Sequence, residues 1–327
     1  MLTILQRGRR DLVTVDPLGP EPPADAIWLD LHEPTPEEIA YVGRSLGIEL
    51  PTREEMREIE ASARVYEEGG ALFLTATMLV NSDRPPPAKS EITFALKDEL
   101  LVTQRHADPQ PFRSMAGRIE RHGAGLGSGL AVFFWLVDQI VARAADVLER
   151  ASFDIDTLSG EIFGAATNQS RKRERPDLVE AIERIGRNGD TAARDRECLL
   201  TLSRILLAVA ATDNLPPPLR KEARLRVKAI QRDIASLSDH ATFLASKINL
   251  LLDATLGMIN IEQTNIIKIF SVLSIVLLPP TLIASIYGMN FDLMPELHWS
   301  FGYPLSLLLM VLSACVPFLY FRRRGWL

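Results

Sequence analysis

The stretch IFSVLSIVLLPPTLIASIYGM, residues 269–289, has no formally charged side chain and runs straight into Asn290. About 21 residues is the length a helix needs to cross a hydrocarbon core roughly 30 Å thick. A second uncharged run, WSFGYPLSLLLMVLSACVPFLYF over residues 299–321, follows a short polar turn that opens at Asn290. Two such runs predict a membrane hairpin, from which the rest of the chain is read outward. Pro279, Pro280 and Pro317 lie inside them. Prolines break helices in water but are tolerated in spans, where neighbouring groups satisfy the freed carbonyls.

Charge sets the expected orientation. The tail carries Arg322, Arg323 and Arg324, whereas the connecting loop carries Asp292 and Glu296 and no lysine or arginine. The positive-inside rule then puts the tail in the cytoplasm and the loop outside. The first residues, MLTILQ, meet Arg7, Arg9 and Arg10 too early for a secretory signal peptide. The large N-terminal body is therefore expected in the cytoplasm too, beneath the cell (inner) membrane.

The 327 residues leave room for two domains. A mean hydropathy of +0.07 reflects a greasy end diluted by a large polar body. The net charge of -6 speaks against nucleic acid, which needs a concentrated basic surface. It suits cations, or solubility alone. Cys198 and Cys315 lie too far apart in sequence to suggest a disulfide framework or zinc ribbon. The five histidines, His32, His106, His122, His240 and His298, form no catalytic pattern, and an enzyme is not expected.

The expected fold class is α+β, with a cytoplasmic α/β domain over residues 1–108. Apolar runs at 2–5 and 12–15 suggest a hairpin, and residues 27–31 a strand. Thr35-Pro36-Glu37-Glu38 is a capping box with proline at the first helical position, opening a helix to about Leu46. Strands follow at 71–80, 91–96 and 100–104, with Pro85-Pro86-Pro87 after the first and a tight turn at Lys97-Asp98-Glu99 before the last. Residues 109–218 are helical, at about 111–121, 130–163 and 176–211. The connection GAGLGSG (123–129) lacks both GxGxxG spacing and a P-loop lysine, and SRKRER (170–175) suits a solvated turn.

From Leu219 to Leu278 there is no proline and a single glycine, Gly257. A continuous helix of that length would reach about 90 Å, which points to a coiled coil, stalk or span. Ile230, Ile234, Leu237, Ala241, Leu244, Ile248 and Leu251 alternate steps of four and three, a heptad-like seam. Residues 219–287 thus read as a stalk helix that becomes the first span. Residues 288–300 form the outer loop, 301–321 the second span and 322–327 the basic tail.

Two spans cannot enclose a pore, so transport would require an oligomer. Ser271, Ser274, Leu278, Thr281 and Ser285 recur at steps of three and four, and Ile267, Thr264, Asn260 and Asp253 continue that face downward. Such a stripe can line a pore. It also suits close helix packing.

Tyr287-Gly288-Met289-Asn290-Phe291, then Met294-Pro295-Glu296-Leu297 and Trp299-Ser300-Phe301-Gly302-Tyr303-Pro304, resemble the signature of the CorA magnesium/cobalt transporters. The basic tail ending Trp326-Leu327 and the segments around Asn260-Ile261-Glu262-Gln263 and Ile266-Ile267-Lys268-Ile269 resemble the enterobacterial branch. The match covers about 75 C-terminal residues. It implies a homopentamer with a cytoplasmic α/β funnel, long stalk helices and a pore lined by the first span at Thr281, Leu278, Ile267, Thr264 and Asp253.

The resemblance also places five copies of Gly288-Met289-Asn290 at the outer mouth as ion selector, with asparagine oxygens accepting from the waters of hydrated Mg²⁺. Magnesium gives up that shell reluctantly. Asp292 and Glu296 would attract cations, and Leu278 and Ile267 would form apolar constrictions able to gate by dewetting. It further implies regulatory Mg²⁺ between cytoplasmic subunits, for which Asp233 and Asp239 are candidates. The expected cargo is Mg²⁺, with Co²⁺ and possible Ni²⁺, moving down the membrane potential. The rivals are a ZntB-type zinc transporter of the same fold and a non-conducting coiled-coil scaffold tethered to the lipid bilayer.

Overall fold

The computed structural model describes residues 1–327 except 16, 17, 20, 82–86, 123–125, 168–176, 290–294, 296–298 and 327, and the side chains of all of these save 61, 116, 120, 122 and 164–167. Pro85, Pro86, the first three residues of GAGLGSG and all of SRKRER thus lie outside the described residues. The chain divides into two units, Met1–Leu252 and Asp253–Leu327.

The first unit is built on a seven-stranded sheet of β1 (Leu2–Gln6), β2 (Val13–Thr14), β3 (Ala26–His32), β4 (Val65–Glu68), β5 (Ala71–Val80), β6 (Ala88–Lys97) and β7 (Leu100–Arg105). Its order is β2-β1-β3-β7-β6-β5-β4. All neighbours are antiparallel except β3 and β7. The expected β1–β2 hairpin forms, with Ile4 opposite Val13. Helices cover both faces, so a central strand needs no polar alternation. β5 is buried along all 10 residues.

On one face, Tyr41 and Val42 of α1 (Pro36–Leu46) pack with Leu29, Leu31, Phe73 and Val102. The capping box is made: Thr35 Oγ1 accepts from the Glu38 N–H at 3.2 Å, and the Glu38 carboxylate accepts from the Thr35 N–H at 2.8 Å. α2 (Ala61–Arg64) and β4 had no counterpart in the expected elements. α3 (Gln110–His122) and α4 (Gly129–Thr167) bring Phe112 to 6.2 Å from Trp28 and Phe133 edge-on to Phe94 at 5.4 Å. Between the layers, Arg105 pairs with buried Asp30 at 2.9 Å, and Asp30 also accepts from the Thr103 hydroxyl at 2.6 Å.

The start of α4 explains the last glycine of GAGLGSG. The Gly129 N–H donates to the Glu99 carbonyl at 2.6 Å, and a Cβ at Gly129 would lie 2.2 Å from the Leu101 nitrogen. That residue is fixed by backbone contact. It is not a spacer.

α5 (Leu178–Ala211) starts two residues later than expected because the Asp177 side chain caps it, accepting from the Val179 and Glu180 N–H groups. It also guards an edge. β4 pairs only with residues 71–74 of β5, and beyond them the Thr77 N–H donates to the Thr201 hydroxyl at 3.1 Å.

α6 (Pro217–Tyr287) is a single helix of 71 residues. It begins before Leu219 because Pro217 and Pro218 occupy the first turn, where no N–H is required. The heptad seam is buried at Ile230, Ile234, Ala241, Leu244, Ile248 and Leu251, and Leu237 is half-buried. Gln231 exchanges hydrogen bonds with Ser203 of α5 at 2.7 and 2.9 Å, and Arg226 and Lys247 pair with Asp138 and Asp156 of α4. Each buried Ile or Leu contributes about 1.5–3 kcal/mol, against about 0–1 for an exposed ion pair. The seam therefore dominates this packing.

The second unit holds the upper part of α6 and α7 (Gly302–Arg323). Both helices are long and apolar enough to cross a membrane, and only 6% of each apolar stretch is buried. An exposed apolar surface of this extent is not stable in water.

Candidate functional site

At ~100° per residue, the nine positions Asp253, Asn260, Thr264, Ile267, Ser271, Ser274, Leu278, Thr281 and Ser285 fall within an arc of about 100° on α6. All are exposed except half-buried Ser271; Leu278 is 66% and Ile267 64% exposed. The chain covers the other side of the helix only in places, and residues 261–267 are exposed all round it. Thr255 and Val272 are buried there, and Met258, Lys268, Val276, Ile283 and Tyr287 are half-buried. The two sets are centred roughly 150° apart by the same helical geometry.

Three hydroxyls on the exposed face donate to their own helix: Thr264 to the Asn260 carbonyl at 2.7 Å, Ser274 to Phe270 at 2.9 Å and Thr281 to Leu277 at 2.8 Å. Their protons are used, so each oxygen presents lone pairs outward. Such a group accepts from water. Inside α6, Pro279 and Pro280 remove the N–H groups that would have bonded the Ile275 and Val276 carbonyls.

At the upper end, the Gly288 N–H donates to the Ala284 carbonyl at 2.9 Å and the Met289 N–H to Ile286 at 3.3 Å as the helix tightens and stops. A Cβ at Gly288 would sit 3.0 Å from that Ala284 oxygen. Asn290, Asp292 and Glu296 lie outside the described residues. Asp233 and Asp239 are exposed on α6, about 120° apart around the helix. No group of three or more His, Cys, Asp or Glu is gathered among the described residues.

α7 ends in a left-handed turn at Gly325, φ 71°, that folds the chain back. The Trp326 N–H donates to the Phe321 carbonyl at 3.1 Å, their rings lie 5.3 Å apart, and the Arg324 guanidinium sits 5.6 Å over the Tyr320 ring. Aromatic and arginine side chains clustered at a span's end suit a membrane–water boundary.

The structure also brings out Asp195 on α5, absent from the sequence-based candidates. It is fully buried with neither carboxylate oxygen hydrogen-bonded among the described residues, and burial pushes its pKa up to about 8. Burial, and then Asp195 itself, push the Cys198 thiol up as well.

The family model described as CorA-like Mg2+ transporter protein matches residues 23–323. The chain is 36% identical over 327 residues to the magnesium transport protein CorA of Escherichia coli K12, covering 100% of both chains. The chain belongs to the CorA-like Mg²⁺ transporter family. The Salmonella typhimurium LT2 CorA gives the same 36% identity and the same coverage. The fold also matches the CorA magnesium transporter of Methanocaldococcus jannaschii, with a TM-score of 0.77 at 20% identity over 100% of this chain and 99% of that one. The relatives' printed names are those of transport proteins. As in the resemblance of its motifs, the chain is a membrane protein with a mixed sheet, long helices and two C-terminal spans.

Proposed function

We propose that the chain forms a homopentameric channel for Mg²⁺ in the cell (inner) membrane, with both termini cytoplasmic and the potential drawing the ion inward. The observation that carries this is the Asp253–Ser285 face of α6, a polar stripe on an apolar helix that its own chain leaves uncovered. In lipid such a face is best used against water or other copies of itself. Five copies would turn the outward lone pairs of Thr264, Ser274 and Thr281 toward a hydrated ion, with Leu278 and Ile267 as the apolar constrictions between them.

Gly288-Met289-Asn290 is the proposed selector, with Asp292 and Glu296 raising the local cation concentration. Asp233 and Asp239 are proposed to bind regulatory Mg²⁺ only with carboxylates from neighbouring copies. An inside-negative potential favours a divalent ion by ~4.6 kcal/mol per 100 mV, enough to drive uptake without ATP.

Flux into proteoliposomes, comparing Mg²⁺, Co²⁺, Ni²⁺ and Zn²⁺ with and without a proton gradient, tests this directly. Potential-driven Mg²⁺ and Co²⁺ entry without proton coupling is expected, with Ni²⁺ weaker. Proton-coupled Zn²⁺ entry would indicate a zinc carrier, and no flux of any ion would indicate a scaffold.

A further inference from the structure

In the first unit, far in sequence from the spans, a cavity of about 170 Å³ lies where the 3₁₀ turn Glu55–Arg57 meets the ends of β5, β6 and β7. That is room for a multi-atom ligand, since one water needs about 10–15 Å³ on the same measure. Arg53, Arg57, Lys89 and His106 line it over an apolar floor of Met56 and Val80. Glu91 is the only carboxylate that lines it among the described residues.

The lining is unbalanced. Lys89 is engaged by Glu197 at 2.7 Å, but neither the Arg53 nor the Arg57 guanidinium, both on exposed residues, has an ion pair or hydrogen bond among the described residues. The Nε2 of His106 is buried without a hydrogen-bond partner among the described residues. Two arginines lining one hollow, without a carboxylate partner among the described residues, favour an anion there. Burial, and then the charge of Arg53, hold the His106 imidazole below its ordinary pKa. An oxyanion placed there would relieve all three conditions at once. It would pair with both guanidinium forks, and its charge would favour the protonated form of His106 beside it.

We propose that this cleft binds a phosphate-type oxyanion, held by Arg53, Arg57 and His106. Two guanidinium forks beside an ionisable histidine suit the higher charge and three terminal oxygens of a phosphate better than a carboxylate. The phosphate comes either from free inorganic phosphate or from the terminal group of a nucleotide. The site lies in the first unit, and its test needs no transport readout.

Isothermal titration calorimetry on the full chain in detergent, at pH 7.5 without divalent metal, tests it with inorganic phosphate, ATP and succinate as probes. Saturable binding of phosphate or ATP is expected with a Kd near 1 mM or tighter, and about tenfold or more weaker in R53Q/R57Q. Binding of phosphate assigns the free ion, and binding of ATP alone assigns the nucleotide. Titration in two buffers of different ionisation enthalpy should show proton uptake in the wild type that H106Q lacks. Circular dichroism melts of the variants establish that they fold. The proposal fails if neither phosphate nor ATP binds, if succinate binds in their place, or if R53Q/R57Q binds as the wild type does while R9Q, outside the cleft, serves as the matched control.

Discussion

Replacing Asp195 with asparagine should remove a pH-dependent weakness from the first unit. In the folded chain the buried, unpartnered carboxyl keeps its proton to about pH 8. In the unfolded chain it loses it near pH 3.9. Between these values the unfolded state binds fewer protons, so stability falls as pH rises. The favourable contribution is complete below about pH 4 and gone above the folded-state pKa. At ~1.36 kcal/mol per pH unit below that pKa, flattening as it is approached, wild type loses about 2 kcal/mol between pH 6 and pH 8 through this group alone. For a unit of this size that is about 4–8 °C in Tm. Asparagine is uncharged at both values and should be insensitive. The assay is thermal unfolding of both chains in detergent at pH 6 and pH 8, followed by circular dichroism. Wild type should drop by about 4–8 °C more than Asp195→Asn over that range. Parallel pH dependences would refute the reasoning, since they would mean Asp195 is already ionised or already paired in the folded protein.

Asn290→Ala should abolish Mg²⁺ uptake in proteoliposomes while size-exclusion chromatography shows an unchanged oligomer; normal flux would remove the selector role. Asp253→Ala should alter conductance or its dependence on internal Mg²⁺ in patch recordings, and identical currents over a wide range of internal Mg²⁺ would displace that residue from the pathway. Gly129→Ala should lower stability by about 3 kcal/mol or more, because the added Cβ meets the Leu101 backbone and not a flexible side chain. A thermal melt within a degree of wild type would show that this contact yields easily.

Much of the fold was legible because the patterns that fix it are local. The Thr35–Glu38 box, the seam from Ile230 to Leu251 and the two apolar runs each lie within one element, and each appears where expected. β4 was missed although its signal was present. Gly69-Gly70, with φ 58° and 75°, is a two-residue hairpin turn joining Glu68 to its partner Ala71. Asp195 was legible in the same sense, as a carboxylate among Ile185, Ala192, Leu199, Leu202 and Leu206 on the buried face of α5. The phosphate cleft was not. Arg53 and His106 are far apart in sequence and meet only because the parallel pairing of β3 and β7 brings the end of β7 beside the turn after α1. The α6 face was legible as a stripe, since period alone places its residues. What lies against that face depends on other copies, which one chain's sequence does not specify.

The most direct test of the proposed pathway asks which side of α6 the ion sees. In a chain with Cys198 and Cys315 replaced, single cysteines at Ser274 or Thr281 are compared with single cysteines at half-buried Val276 or Ile283 on the opposite side. Each is treated with a small cationic thiol reagent during Mg²⁺ flux into proteoliposomes. Channel lining by the polar face predicts block at the first two positions and untouched flux at the others. Block confined to Val276 and Ile283, or at none of the four, would contradict it.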